Sequence, residues 1–257
     1  MEVDRKTFVA SPGSTAGAPS SEERADALEE SMMKQLDNAA AQTQVRRGTG
    51  LLFGGLTPGG LPLGLSALAP MPPRPTIVDF FKLRFMPHTV THMLQSANDA
   101  LRKGEPGETV LACLLHDIAV NLIKVDHGWW AAQMVEPYVS EKVSWAIRYH
   151  QALRFFPDPS VGYGYPERYV QIFGEGYVPE PYIKAAYEQA RRHKWYMEAR
   201  MITVHDLYAF EPGVHPTLEP FVDVIGRHFK QPKEGLGFDG SPVAHMWRSL
   251  IYPDNPL

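Results

Sequence analysis

Residues 114–130, "LLHDIAVNLIKVDHGWW", set a His beside an Asp (His116-Asp117) inside an apolar run, with a second Asp-His pair (Asp126-His127) ten residues on. Carboxylates are almost never buried without a partner, because an uncompensated charge in a core is costly. A chain that carries this pair through a packed helix must therefore bring other charged or metal-bound groups to meet it. That requirement constrains the fold more than any other feature of the sequence.

The surroundings read as helical. Val110, Leu114, Ile118 and Leu122 fall on one stripe of "ETVLACLLHDIAVNLIK", the 3.6-residue signature of a helix. Upstream, Pro87 is placed for a first helical turn and Gly104 for a C-terminal cap. Downstream, Ser140 is placed as an N-cap, with Val143, Ile147 and His150 following at helical spacing. Two more helical stretches are expected at about 180–210 and 217–229, while 157–179, rich in Gly, Pro and Tyr, reads as a long loop. With no period-2 strand pattern, the expectation is an all-α domain over 76–257.

Residues 1–75 read as an N-terminal extension. A Ser/Gly/Pro/Ala tail (1–19) precedes a capping-box helix opening at Ser20-x-x-Glu23, with Leu28, Met32, Leu36 and Ala39 at helical spacing. Residues 48–75 are punctuated by Gly and Pro yet unusually apolar. Such a segment suits draping over the domain or a partner subunit, so a homo-oligomer is one expectation.

Within the helical region, His92, His116, Asp117, His127, His150 and Asp206 each lie in or beside an apolar stretch. Imidazole and carboxylate together suit first-row transition metals such as Fe, Mn or Zn. Four His and two Asp exceed what one tetrahedral zinc takes and suffice for two ions sharing a carboxylate. His116 and Asp117 point about 100° apart on a helix, so the Asp can bridge while the His serves one ion. His88, one turn before His92, is the competing first ligand. Asp126 is either the N-cap of the next helix or a partner fixing His127. His205 reads as an outer partner or surface group, His193, His215, His228 and His245 as structural, and Lys124 as a solvated helix-end cation. Trp129 and Trp130 read as core before substrate platform, and the Tyr/Pro residues of 157–182 as either a lid or a solvated loop.

The order His … His-Asp … His … His … Asp, with gaps of 24, 11, 23 and 56 residues from His92 to Asp206, resembles the HD-domain superfamily in its dinuclear form. Over residues 85–210 it is most similar to the HD-domain diiron oxygenases, whose members include myo-inositol oxygenase and 2-amino-1-hydroxyethylphosphonate dioxygenase. The resemblance implies an HD-domain helical bundle. It also implies His92, His116 and Asp206 at one ion, Asp117 as the bridge, and His127 with His150 at the other. The implied cofactor is a mixed-valent Fe(II)/Fe(III) pair, with a substrate hydroxyl at one iron, O2 at the other, and hydrogen abstraction from the adjacent carbon. The gap from His116 to His127 is shorter than in the phosphonate dioxygenase.

Hydrolytic relatives read His-Asp-x-Gly-Lys, the Lys helping to hold phosphate; here Ala119-Val120 stand in place of Gly-Lys. Arg154, four residues after His150, matches the basic residue of the phosphonate oxygenase pattern and implies a bidentate grip on a carboxylate, phosphonate or sulfonate. The Arg often found just before the last Asp of that family is absent: Thr203 and Val204 stand there, with Arg200 nearly two turns back. The expected function is therefore a diiron oxygenase acting on a small hydroxylated anion. The alternative is a metal-dependent phosphohydrolase using Mn or Zn to activate water.

Composition narrows the partners. A net charge of -4 and no Lys/Arg cluster give no footprint for nucleic acid or an anionic membrane. The single cysteine, Cys113, precludes an internal disulfide framework and fits a reducing cytoplasm. No signal peptide and no membrane span are expected from the N-terminal sequence or from any apolar run.

Overall fold

The structure, a computed structural model, describes residues 69–252 except 125 and 208, together with positions 27, 30 and 34. The chain divides between residues 47 and 48. In the first unit the three described positions are helical, and Lys34 Nζ donates to Glu30 Oε1 at 2.6 Å. The rest of the helix expected from Ser20, the tail 1–19 and most of the 48–75 segment lie outside the described residues.

The second unit is all-α. Its described residues form ten helices: α1 (Ile77–Leu83), α2 (Pro87–Arg102), α3 (Gly107–Leu115), α4 (His127–Val135), α5 (Glu141–Leu153), α6 (Glu167–Phe173), α7 (Pro181–Ala190), α8 (Tyr196–Leu207), α9 (Val222–His228) and α10 (Ala244–Ile251). No strand occurs among the described residues, which hold one isolated bridge, Asp158 to Tyr163. None of these helices is long and apolar enough to cross a membrane.

Local chemistry sets the helix ends. Thr76 and Asp79 form a reciprocal capping box at α1. α2 starts on Pro87 and ends with Gly104 at φ +78°, where Glu105 N donates to Ala100 O and Gly104 N to Leu101 O. That paired hydrogen bonding needs a left-handed residue at Gly104, which glycine adopts without a Cβ penalty. Ser140 caps α5 by accepting from Val143 N, as its position predicted.

α3 is the centre of the core: Thr109 to Leu115 are all buried, as expected of a helix that is apolar all round. It packs against α2, α5, α8 and α9, and α8 in turn packs against α2 and α5. α4 lies on α5. Elsewhere Trp247 of α10 is fully buried, edge-on to Phe80 at 4.8 Å, with Nε1 donating to Met134 O at 2.9 Å. That bond satisfies the indole's one donor, so its large apolar area is buried without a polar penalty.

Three sequence expectations need correction. The helix predicted through Leu122 ends at Leu115, and residues 116–122 continue as tighter turns, with Ile118 N to Leu115 O, Val120 N to Asp117 O and Leu122 N to Ala119 O. Ile118 stays buried and Leu122 still packs on the core, so the periodicity reported burial rather than hydrogen-bond register. The 180–210 stretch is two helices separated by a turn, and the 157–179 loop contains α6. α10 had no sequence expectation.

Candidate metal centre

Five helices each deliver part of one cluster. α2 contributes His92, the end of α3 His116 with Asp117 after it, α4 His127 at its first residue, α5 His150 and α8 Asp206. His116 and His150 are fully buried, His127 nearly so, and His92 and Asp206 are buried as well. His88 is exposed, which leaves His92 as the histidine of α2 in the cluster.

Every one of the four imidazoles is oriented the same way. His116 Nδ1 lies 2.7 Å from Cys113 O, His127 Nδ1 3.0 Å from Lys124 O, His150 Nδ1 2.6 Å from Ile147 O and His92 Nδ1 3.0 Å from Ala209 O. A backbone carbonyl only accepts, so each Nδ1 carries the hydrogen when the ring is neutral and each Nε2 presents a lone pair inward. Metal-binding histidines are fixed by such outer hydrogen bonds.

The Nε2 atoms converge on two carboxylates. His92 Nε2 is 3.1 Å from Asp206 Oδ1, 3.5 Å from Asp117 Oδ2 and 3.2 Å from His116 Nε2. His116 Nε2 is 3.6 Å from Asp117 Oδ1 and 4.0 Å from Asp206 Oδ1. On the other side, His127 and His150 Nε2 lie 3.0 and 3.9 Å from Asp117 Oδ1. Ligand atoms about 2.1 Å from a common ion sit roughly 3.0–3.4 Å apart, so these separations are near those of a coordination shell.

Two ligand groups result, His92/His116/Asp117 and Asp117/His127/His150, and Asp117 belongs to both. Asp206 closes on the first through His92. Among the described residues, Asp117 Oδ1 and the Nε2 atoms of His127 and His150 are buried yet make no hydrogen bond. The His127–Asp117 distance is short, but its angles are not those of a hydrogen bond. Orphaned buried polar atoms cost about 1–3 kcal/mol each, and here three point at one another. The donor set fits metal: imidazole nitrogens and carboxylate oxygens, six in all, with the second group leaving more positions open.

Electrostatics separate the two groups. Burial by itself lowers His92, but the hydrogen-bonded Asp206 carboxylate and Asp117 raise it to about 9. Burial holds His116 below its ordinary value, and holds His150 well below it together with repulsion from His116 and His127. Asp117 and Asp206 stay ionised: burial pushes them up, but His116, His127 and His92 draw Asp117 far down, and His92 does the same for Asp206.

Arg154 is the C-cap of α5. Its guanidinium carbon lies 5.6 Å from the Tyr169 ring centroid, its Nε is buried without a hydrogen bond among the described residues, and Tyr163 Oη donates to its carbonyl at 2.9 Å. Burial works against the charge, and Tyr169, Asp206 and Asp117 together outweigh it. Tyr169 and Phe210 border a cavity of about 380 Å³ together with Tyr165, Arg168 and Leu207. Phe210 stacks on His92 with centroids 4.5 Å apart, and the Arg168 guanidinium carbon lies over the Phe210 ring, 4.2 Å from its centroid. Residues 164–169 of the 157–179 segment line this cavity. Asp158 accepts from Ser160 and from Tyr196 Oη at 2.6 Å and pairs with fully buried Arg200 at 3.5 Å.

Other sequence expectations fare differently. Asp126 precedes α4, but it is left-handed at φ 56° with no side-chain cap bond, and His127 Nδ1 turns to the Lys124 carbonyl instead. It holds the N-cap position, its carbonyl accepting from Trp130 N at 3.2 Å, but makes no side-chain cap bond and is not the partner of His127 Nδ1. Trp129 and Trp130 are not core: both are over a third exposed and pack edge to face on each other at 4.9 Å. His205 is fully buried rather than at the surface, with Nδ1 2.7 Å from Asp99 Oδ2 and Nε2 3.4 Å from Glu105 Oε1. Ala209 and Phe210 went unread in the sequence; a backbone carbonyl leaves no trace there, although an aromatic four residues beyond a candidate ligand Asp could have been flagged. In comparisons with known proteins, no family model matches the chain and no curated protein is significantly similar to it.

Proposed function

We propose that the chain is a metal-dependent enzyme of the HD-domain type, a diiron oxygenase that uses O2 to oxidise a small hydroxylated anion. The observation that carries the dinuclear part is the common orientation of four imidazoles, Nδ1 to backbone and Nε2 inward, around a carboxylate shared by both groups. When bound, a pair of iron ions supplies the redox chemistry that O2 requires.

The residues of the chain do the remaining work. His92, His116 and Asp206 hold one ion, His127 and His150 the other, and Asp117 both. Arg154 supplies a half-buried, charged fork one turn past His150, suited to fixing the anionic end of a substrate so that its hydroxyl carbon faces the centre. Tyr163, Tyr169 and the ordered segment around them exclude water, which strengthens that ion pair. Ala119 and Val120 follow Asp117 where hydrolytic relatives have Gly-Lys, and this favours oxygenation over phosphoester cleavage. The same ligands accept Mn or Zn, so hydrolysis is the competing outcome of the test. An oxygen electrode reads O2 uptake by the iron-loaded protein with hydroxyalkylphosphonates and hydroxy acids. Substrate-dependent uptake is expected; phosphate release from nucleotides without O2 consumption contradicts the oxygenase reading.

A further inference from the structure

Gly128 is the second residue of α4, immediately after His127. A Cβ built on it would lie 2.7 Å from Ile147 O and 3.0 Å from both Cε1 and Nδ1 of His150. Relaxed carbon contacts sit at about 3.5–4.0 Å, so no side chain fits here without movement. The atoms it would strike are the two ends of one hydrogen bond, His150 Nδ1 to Ile147 O at 2.6 Å. Ile147 O belongs to the middle of α5 and cannot retreat alone. Either the His150 ring turns away or α4 lifts off α5, taking His127 with it.

We propose that Gly128 is a positioning residue for the second ligand group: its missing side chain lets His127 and His150 converge on Asp117. The inference rests on the dinuclear reading above. Both ligands exclusive to the second group flank the Gly128 contact, whereas His92, His116 and Asp206 stand on α2, at the end of α3 and on α8 and supply none of the three atoms nearest that Cβ. Adding one methyl therefore turns a two-ion centre into a one-ion centre, with the first group intact. Loss of an outer partner typically weakens metal affinity by about 10–100-fold, and the second ion is expected to fall within that range while the first is unchanged.

The test is Gly128→Ala in the full chain, loaded with Fe(II) without oxygen, desalted, counted by elemental analysis and titrated against a chelator. Gly107→Ala is the control, because its Cβ would meet the His228 imidazole, which is not a ligand. Two ions in the native protein and in Gly107→Ala, and one in Gly128→Ala, bear the proposal out. Two ions in Gly128→Ala at native affinity overturn it, as does loss of both ions from a folded variant. A native protein holding fewer than two ions overturns the dinuclear reading itself and this inference with it. If Gly128→Ala does not fold, G128A/H150A removes the ring that the methyl strikes. Recovery of a folded, one-ion protein supports the wedge, and continued unfolding overturns it by showing that Gly128 serves helix packing alone.

Discussion

The two halves of the centre are built on opposite principles. In the first, His92 faces Asp206 at 3.1 Å and Asp117 at 3.5 Å, and its imidazole is raised to about 9. It is a compensated ion cluster whose members come from α2, α3 and α8. In the second, His127 and His150 sit on the neighbouring helices α4 and α5, their Nε2 atoms make no hydrogen bond among the described residues, and His150 is held well below its ordinary pKa. The first half contributes to the fold with or without an ion. The second keeps the Nε2 lone pairs of His127 and His150 buried without a hydrogen bond among the described residues, a cost that a bound cation would relieve.

Several variants break or sharpen that contrast. Asp117→Ala has the largest effect, since this carboxylate serves both groups. Elemental analysis should find both ions lost, with affinity falling by well over the about 10–100-fold that an outer partner contributes. Retention of either ion at native affinity would argue against a shared ligand. Next, Asp206→Ala in metal-free protein should destabilise the fold by about 3–5 kcal/mol, the usual consequence of stripping one partner from a buried ion pair. His150→Leu should be neutral or stabilising in the same urea titration. Equal losses in the two variants would erase the distinction between the halves.

A smaller effect is expected from Arg154→Ala, which leaves both ions bound and raises the KM for an anionic substrate about 10–100-fold, corresponding to a lost charged hydrogen bond of roughly 1.5–3 kcal/mol. An unchanged KM would remove Arg154 from substrate binding. The mildest lever is pH. His92 has its pKa raised on folding from 6.5 to about 9, so its contribution to metal-free stability is full below 6.5 and is lost as pH rises through about 9. The first ion must displace that proton, so its affinity should climb by up to about tenfold per pH unit across the same window. Calorimetry in buffers of different ionisation enthalpy should record proton release on binding the first ion; none at pH 7 would contradict the His92–Asp206 pairing.

Much of this was legible in the sequence because rare residues in apolar company are informative. His92, His116, Asp117, His127, His150 and Asp206 stood out as polar groups that a core must compensate, and the structure brings all six together. The capping signals at Ser140 and Gly104 also held, since they act through local chemistry. What escaped depends on backbone placement. The end of α3 at Leu115, the Ala209 carbonyl behind His92 and the left-handed Asp126 have no side-chain signature. Gly128 matters through an atom it lacks. Trp129 and Trp130 misled because an apolar neighbourhood in sequence does not dictate which face of a short helix turns outward.

The most direct measurement of the central claim is EPR and Mössbauer spectroscopy, with elemental analysis, on iron-loaded protein prepared without oxygen and then partly oxidised. Two iron ions per chain with exchange-coupled spins, as a shared Asp117 carboxylate requires, are predicted. A single ion, or two ions without magnetic coupling, would contradict a dinuclear centre bridged by Asp117.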